Sequence, residues 1–172
     1  MSATSLLHLD DEWSRRLRLE DRQGRLRTLA AIVAHSGDSW FWGIGLGAVF
    51  LGGDSAAKTW AITLVAGIAG LAIIVMGTKL LVRRRRPAGE WGRIYRSTDP
   101  HSFPSGHAAR AFLVTVLVVV LGPAWLALLL VVWAPLVSLA RVAMGVHYLS
   151  DVVAGALLGT ALGVAAVVFL PL

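Results

Sequence analysis

Five apolar runs occupy most of this chain beyond its first 38 residues, at about 39–53, 57–82, 106–122, 124–143 and 149–171. Four approach the roughly 20 residues an α-helix needs to cross bilayer hydrocarbon. The first has roughly 15, so it has to tilt, pack inside or extend at its polar ends. Composition agrees, since 56% of the 172 residues are hydrophobic and the mean hydropathy is +0.70, far above a soluble domain of this size. The expected fold class is all-α: an integral membrane helical bundle of about five spanning helices, forming one domain over residues 1–172 with no linker or internal repeat. The breaks are readable at Gly52-Gly53-Asp54-Ser55, in a long loop over 83–103, at Gly122-Pro123 and over 145–150. Trp40, Trp42, Trp60 and Trp125 fall at helix ends, where an aromatic belt is expected.

The segment before the first run has a different character. Its first 12 residues carry acids and no apolar core of a signal peptide, so no cleavable leader is expected. Over 13–36, Trp13, Leu17, Leu19, Leu26, Leu29 and Ile32 alternate with arginines and acids. That pattern predicts one amphipathic helix lying at the interface, the core of an N-terminal arm over 1–36, with only 29–34 apolar enough to enter the bilayer.

The chain has a formal charge of +6 and no cysteine, which excludes disulfides and thiolate metal sites. In a soluble protein such a charge would suggest nucleic acid. Here the arginines flank apolar runs, so no nucleic acid is expected, and the partners are the bilayer and a phosphorylated lipid. Five crossings gather every Lys and Arg except Lys58 on one side. The positive-inside rule places that side in the cytoplasm of a bacterial inner membrane.

Three clusters lie on that side. Lys79 and Arg86, followed by Pro87, are seven residues apart, close to two helical turns; if the helix continues that far, both grip one phosphate from the same side. Arg83, Arg84 and Arg85 between them read as headgroup-snorkelling residues. Pro104-Ser105-Gly106-His107 reads as a helix start whose free amides attract an anion, with a histidine able to give a proton near neutral pH. The third cluster is Arg141, His147 and Asp151, in which a carboxylate four residues on can orient an imidazole that acts as nucleophile or base. Continuing by fours gives Gly155, Gly159 and Gly163, a face that lets helices approach closely. Asp99 and His101 read as loop polarity, Arg110 as an inner ion-pair partner or snorkelling residue, and Trp91 and Tyr95 as interface anchors. His8 and His35 have no evident partner.

Taken together, Lys79-x6-Arg86-Pro87, Pro104-Ser105-Gly106-His107 and Arg141-x5-His147-x3-Asp151 resemble the motifs of the type 2 phosphatidic acid phosphatase (PAP2) superfamily of lipid phosphatases, which also includes vanadium haloperoxidases. The resemblance covers 79–151 with order and spacing intact. It departs at Ala140, where the family has a serine. It implies that His147 attacks phosphorus to form a phosphohistidine, that Asp151 holds its ring, and that His107 protonates the leaving alkoxide and then activates water. Lys79, Arg86, Ser105, the Gly106 amide and Arg141 would hold the phosphoryl oxygens. No metal or other cofactor is implied, and no acidic cluster stands near these residues to hold magnesium. The expected substrate is a lipid phosphomonoester or pyrophosphate: phosphatidic acid, phosphatidylglycerol phosphate, a polyprenyl pyrophosphate or a polyprenyl-linked sugar phosphate. A lipid phosphotransferase would use the same residues, and a non-catalytic lipid-binding protein would keep the fold. A haloperoxidase does not fit a site set among membrane spans.

Overall fold

The computed structural model describes residues 3–19, 24–88, 91, 95, 97 and 99–169. Among these are seven helices: α1 (Ala3–Leu17), α2 (Arg25–His35), α3 (Ser39–Gly52), α4 (Ser55–Val82), α5 (Gly106–Leu121), α6 (Ala124–Ala143) and α7 (Leu149–Phe169). The last five follow the apolar runs closely. Asp54 starts α4 by accepting the Ala57 amide at 2.9 Å. Gly122 and Pro123 separate α5 from α6.

Three helices, α4, α6 and α7, are long and apolar enough to cross a membrane, and α3 and α5 are shorter. The sequence puts α5 among the full-length spans, yet it has 16 residues and covers about 24 Å at 1.5 Å per residue. It can be short because it is the centre of the bundle. Ala108, Ala109, Ala111, Leu113, Val114, Leu117 and Val118 are buried along it, while Val119 and Val120 near its C-terminal end are exposed.

The α5–α7 contact is the closest in the bundle. A Cβ added at Gly155 would lie 2.5 Å from the Ser105 carbonyl oxygen, and one at Gly159 only 2.0 Å from that of Ala109. Only glycine lets the two backbones meet in this way. Leu46, Leu64, Leu71, Leu113, Leu117 and Leu130 fill the space between α3, α4, α5 and α6. Leucines on the outer face, such as Leu81 and Leu128, are bare, as lipid-facing residues are. Trp42 and Trp60 pack against this core instead of joining a belt with exposed Trp40 and Trp125.

The N-terminal arm differs from the expected single helix over 13–36. It holds two helices, and Gly24, with φ 130°, lies at the start of the second. A side chain rarely adopts that backbone conformation, so the sequence breaks where glycine stands. α1 begins ten residues earlier than the periodicity suggests, and it is docked rather than free. Ser14 is fully buried, and its Oγ accepts the Leu149 amide at 2.8 Å. Asp10 accepts the Ser150 amide at 3.0 Å. These two side chains of α1 satisfy orphan amides at the start of α7. α2 packs through Ala34 on Ala140 and Met144 of the α6 end.

Candidate active site

The C-terminal ends of α4 and α6 and the N-terminal ends of α5 and α7 converge at one end of the bundle. There they surround a cavity of about 180 Å³ lined by Lys79, Arg86, Tyr95, Asp99, Gly106, His107, Arg110, Arg141 and His147, with an apolar wall from α4. Six of the eight motif residues named from the sequence are in this lining. Ser105 and Asp151 are fully buried just behind it.

Lys79 is in the last turn of α4, which stops at Val82 because Arg83 turns into the left-handed region at φ 52°. Arg86 is therefore outside the helix, and the two-turn stacking expected of the pair does not occur. What joins them is Asp99. Its Oδ2 accepts from the Lys79 ammonium and, at 2.8 Å, from Arg86 Nη2. The loop carrying Asp99 is fixed where it runs back past 84–86: Ser102 donates its amide to the Arg84 carbonyl at 2.8 Å, and Arg86 Nε donates to the Asp99 carbonyl at 2.7 Å. Burial alone would raise the Asp99 carboxyl, but Lys79 and Arg86 outweigh it and hold the group below its ordinary range.

Ser105 is the N-cap of α5, its Oγ facing the Ala108 amide at 3.5 Å, and its own amide donates to the Asp151 carbonyl at 2.9 Å. Pro104 thus precedes the cap instead of opening the first turn, and the Ser105 amide is already engaged. His107, one residue into the helix, lines the cavity and shares a 2.6 Å hydrogen bond between Nε2 and Asp38 Oδ1.

Arg141, near the end of α6, is fully buried. Its Nη1 donates to the Tyr95 hydroxyl at 3.1 Å, and its guanidinium lies 4.7 Å from the Tyr95 ring. Among the described residues no carboxylate pairs with it, and Nε has no hydrogen-bond partner. Ala140, at the departure from the family pattern, faces α2 rather than the cavity.

His147 is in the connection before α7, so its spacing to Asp151 is not that of a helical pair. The Nδ1–Oδ2 distance is 3.5 Å, and Nδ1 makes no hydrogen bond among the described residues. Nε2 faces Arg86 Nη1 at 3.3 Å. Burial, followed by the charges of Arg141, Arg86 and Lys79, holds the imidazole well below the ordinary 6.5, so the ring is neutral and carries a lone pair.

Asp151 is anchored by other groups. Oδ2 accepts the Tyr148 amide at 2.9 Å and Oδ1 accepts Arg84 Nη1 at 2.8 Å. Arg84 also donates to Ser150 Oγ at 2.6 Å and to Asp10 Oδ2 at 2.7 Å, and it lies 3.9 Å from the Tyr148 ring. It is an internal crosslink, not a snorkelling residue. Sequence reasoning missed Arg84, Asp10, Asp38 and Asp99. The readable signal for Asp38 is a polar Ser-Gly-Asp at the mouth of an apolar run that starts on the motif side. His35 also has a partner, Asp38 Oδ2 at 3.2 Å.

Known proteins resemble this chain in sequence and in fold. The sequence profile of the PAP2 superfamily matches residues 60–171. Decaprenylphosphoryl-5-phosphoribose phosphatase of Mycobacterium tuberculosis is 35% identical over 149 residues, 84% of this chain and 80% of that protein. Undecaprenyl-diphosphatase of Sulfolobus acidocaldarius is 38% identical over 105 residues, 58% of this chain and 50% of that one. Among solved structures, the transmembrane PAP2-type phosphatidylglycerolphosphate phosphatase of Bacillus subtilis superposes with a TM-score of 0.79 at 25% identity, covering 96% of this chain and 86% of that one. Aquifex aeolicus LpxE shares the fold, with a TM-score of 0.73 at 23% identity over 92% of this chain and 94% of that one. With three motif clusters drawn to one cavity and the profile matched across most of the helical bundle, the chain belongs to the PAP2 superfamily and is a membrane phosphatase of that kind.

Proposed function

We propose that the chain hydrolyses a phosphomonoester or pyrophosphate of a membrane lipid through a phosphohistidine on His147, without a metal. His147 Nε2 attacks phosphorus in line, and the bond to the lipid oxygen breaks as His107 gives that oxygen its proton. Neutral His107 then takes a proton from water, which attacks phosphorus, breaks the P–N bond and releases phosphate. Lys79, Arg86, Arg141 and the Gly106 amide hold the oxygens on which charge grows, while Ser105, behind the cavity, caps the helix that presents that amide.

The observation that carries this reading is Arg141. A fully buried guanidinium with no carboxylate partner among the described residues is costly unless an anion completes it, and Arg141 borders a cavity lined by three more cations, Lys79, Arg86 and Arg110, and by two histidines. In the free site Asp99 occupies Lys79 and Arg86, and phosphate takes its place. The tail has a matching path: Ile68, Leu71, Ala72, Val75 and Met76 line the same cavity on one face of α4, and Ala72 and Met76 are exposed on the outer surface of the helix.

Among lipids, a polyprenyl-linked sugar phosphate is the first candidate. Its support is the Mycobacterium tuberculosis relative, matched over most of both chains, together with the clustering of basic residues at the site end, which favours a cytoplasmic active face and a lipid intermediate made there. The test is phosphate release by detergent-purified protein in EDTA, across the four candidate lipids, beside His147→Ala and His107→Ala. Release from one lipid that survives EDTA and disappears in both variants is expected. Release that persists in the variants, or requires magnesium, overturns the mechanism. For the face, single cysteines at Ala88 and Lys58 are labelled from outside intact cells, and labelling at 88 overturns the cytoplasmic assignment.

A further inference from the structure

The three residues between α2 and α3, Ser36, Gly37 and Asp38, are held from every side. Trp133 of α6 donates its indole N–H to Ser36 Oγ at 2.8 Å. Arg110 of α5 donates to the Gly37 carbonyl. The Asp38 amide donates to the His35 carbonyl at 2.9 Å. Gly37 leaves little room, because a Cβ there would lie 3.0 Å from Val137 Cγ1 and 3.4 Å from the ring carbon Cδ2 of His107, so a neighbour would have to give way. The loop is thus pressed against the imidazole of His107.

Asp38 is also the N-cap residue of α3, yet its side chain makes no capping hydrogen bond. Asp54, in the same position before α4, does cap, accepting the Ala57 amide. An aspartate at an N-cap ordinarily accepts an amide of the first turn. Asp38 instead turns its carboxylate to two imidazoles, with Oδ1 2.6 Å from His107 Nε2 and Oδ2 3.2 Å from His35 Nδ1. The cap is forgone and the histidine contact is made.

We propose that Asp38 is the positioning residue of His107, fixing the ring so that Nε2–H faces the carboxylate and Nδ1 faces the leaving oxygen. The inference rests on the reading of His107 as the acid of the phosphatase. Protonated His107 carries a hydrogen on both nitrogens. The one on Nδ1 passes to the lipid alkoxide as the P–O bond breaks, and the lone pair left on Nδ1 later accepts the proton of the attacking water. Asp38 remains ionised and balances the imidazolium, which otherwise stands among the cations Arg110 and Arg141 of the same cavity. Each of the two histidines then stands beside a carboxylate, His107 bonded to Asp38 and His147 with its Nδ1 3.5 Å from Asp151 Oδ2.

The test separates orientation of an acid from a structural tie. Asp38→Asn and His107→Ala are assayed on the lipid, whose leaving group needs a proton, and on p-nitrophenyl phosphate, whose leaving group does not, with phosphoenzyme followed by acid quench. D38N is expected to lower kcat on the lipid by about 100-fold, the lower end of what a positioned acid or base contributes. On the aryl ester it should form phosphoenzyme at the wild-type rate and then accumulate it, because water activation is also impaired. The same protein with nitrogen-15 histidine reports the ring directly: wild-type His107 is expected as the Nε2–H tautomer, and D38N is expected to lose that preference. Equal losses in the rate of phosphoenzyme formation from both substrates, or a wild-type ring protonated at Nδ1 alone, overturn the proposal. If H107A retains wild-type activity, the acid role of His107 fails; if H107A behaves as an acid variant while D38N matches wild type in rate and tautomer, only the role of Asp38 fails.

Discussion

Arg84 Nη1 lies 2.8 Å from Asp151 Oδ1, closer than the 3.5 Å that separates Asp151 Oδ2 from Nδ1 of the His147 ring it was expected to hold. The arginine ties three elements together, since its other contacts go to Ser150 of α7 and Asp10 of α1. Removing it would leave Asp151 buried as an uncompensated charge. Arg84→Ala is expected to lower stability by about 3 kcal/mol and kcat by about 10- to 100-fold. Thermal unfolding in detergent and phosphate release check the two parts. Arg84→Lys should recover little, because an ammonium cannot reproduce a fork that reaches Asp10, Ser150 and Asp151 at once.

Asp10 gives the N-terminal helix a role in the site. It accepts the Ser150 amide and pairs with Arg84, so it caps α7 and steadies the anchor of Asp151 in one contact. Asp10→Ala is expected to cost about 1 to 2 kcal/mol, the range of a lost N-cap, and to lower kcat less than Arg84→Ala does. A KM that rises with kcat unchanged would show that α1 serves lipid binding instead.

On the proposed reading, in which Lys79 and Arg86 hold phosphate, Asp99 competes with it for both cations. Asp99→Asn removes that competing charge, so inorganic phosphate and orthovanadate should bind about tenfold more tightly, a gain of roughly 1.4 kcal/mol. The inhibition constant of vanadate measures this. Weaker inhibition in the variant would show that Asp99 chiefly holds the two cations in place.

The depressed pKa of His147 has a signed consequence for stability. The unfolded histidine takes up a proton near 6.5 while the folded ring, buried among three cations, does not. The unfolded state therefore binds more protons once the pH falls below about 6.5, and stability is lost in that window at up to about 1.4 kcal/mol per pH unit. His147→Asn, which cannot titrate, should lose less melting temperature than wild type between about pH 7 and pH 5. Above about pH 7 the two should run parallel.

The closeness of α5 and α7 can be tested at one atom. Gly159→Ala places a methyl 2.0 Å from the Ala109 carbonyl oxygen and 2.8 Å from its carbon, so backbone has to move. A loss of about 3 kcal/mol or more is expected, seen as a lower melting temperature in detergent. Gly43→Ala, with nothing within 4 Å of the added Cβ, is the control and should change little.

Much of this was legible before any coordinates. Apolar runs of spanning length fixed the helices α4, α6 and α7 to within a few residues, because in lipid the backbone has few alternatives to a helix. The small-residue face of α7 was readable from Gly155, Gly159 and Gly163, and the three motif clusters do meet around one cavity. Other features were hidden for physical reasons. The end of α4 depends on Arg83 entering a left-handed conformation, which arginine does not advertise. The split in the N-terminal arm was masked by a periodicity that continues past Gly24. Arg84, Asp10, Asp38 and Asp99 were hidden because the partners that tie them to the site are 13 to 140 residues distant in sequence, and no local spacing reports such pairs.

The docking of α1 and the 36–38 loop bears on how portable this catalytic centre is. Residues 60–171, the stretch matched to the family, contain every motif side chain. They do not contain Asp10, Ser14 or Asp38, which hold the α7 start and His107. A graft or minimal version cut to the family-matched stretch would carry the reagents without the fixture that aims them. A working graft therefore needs the first 38 residues together with the bundle, as a matched set.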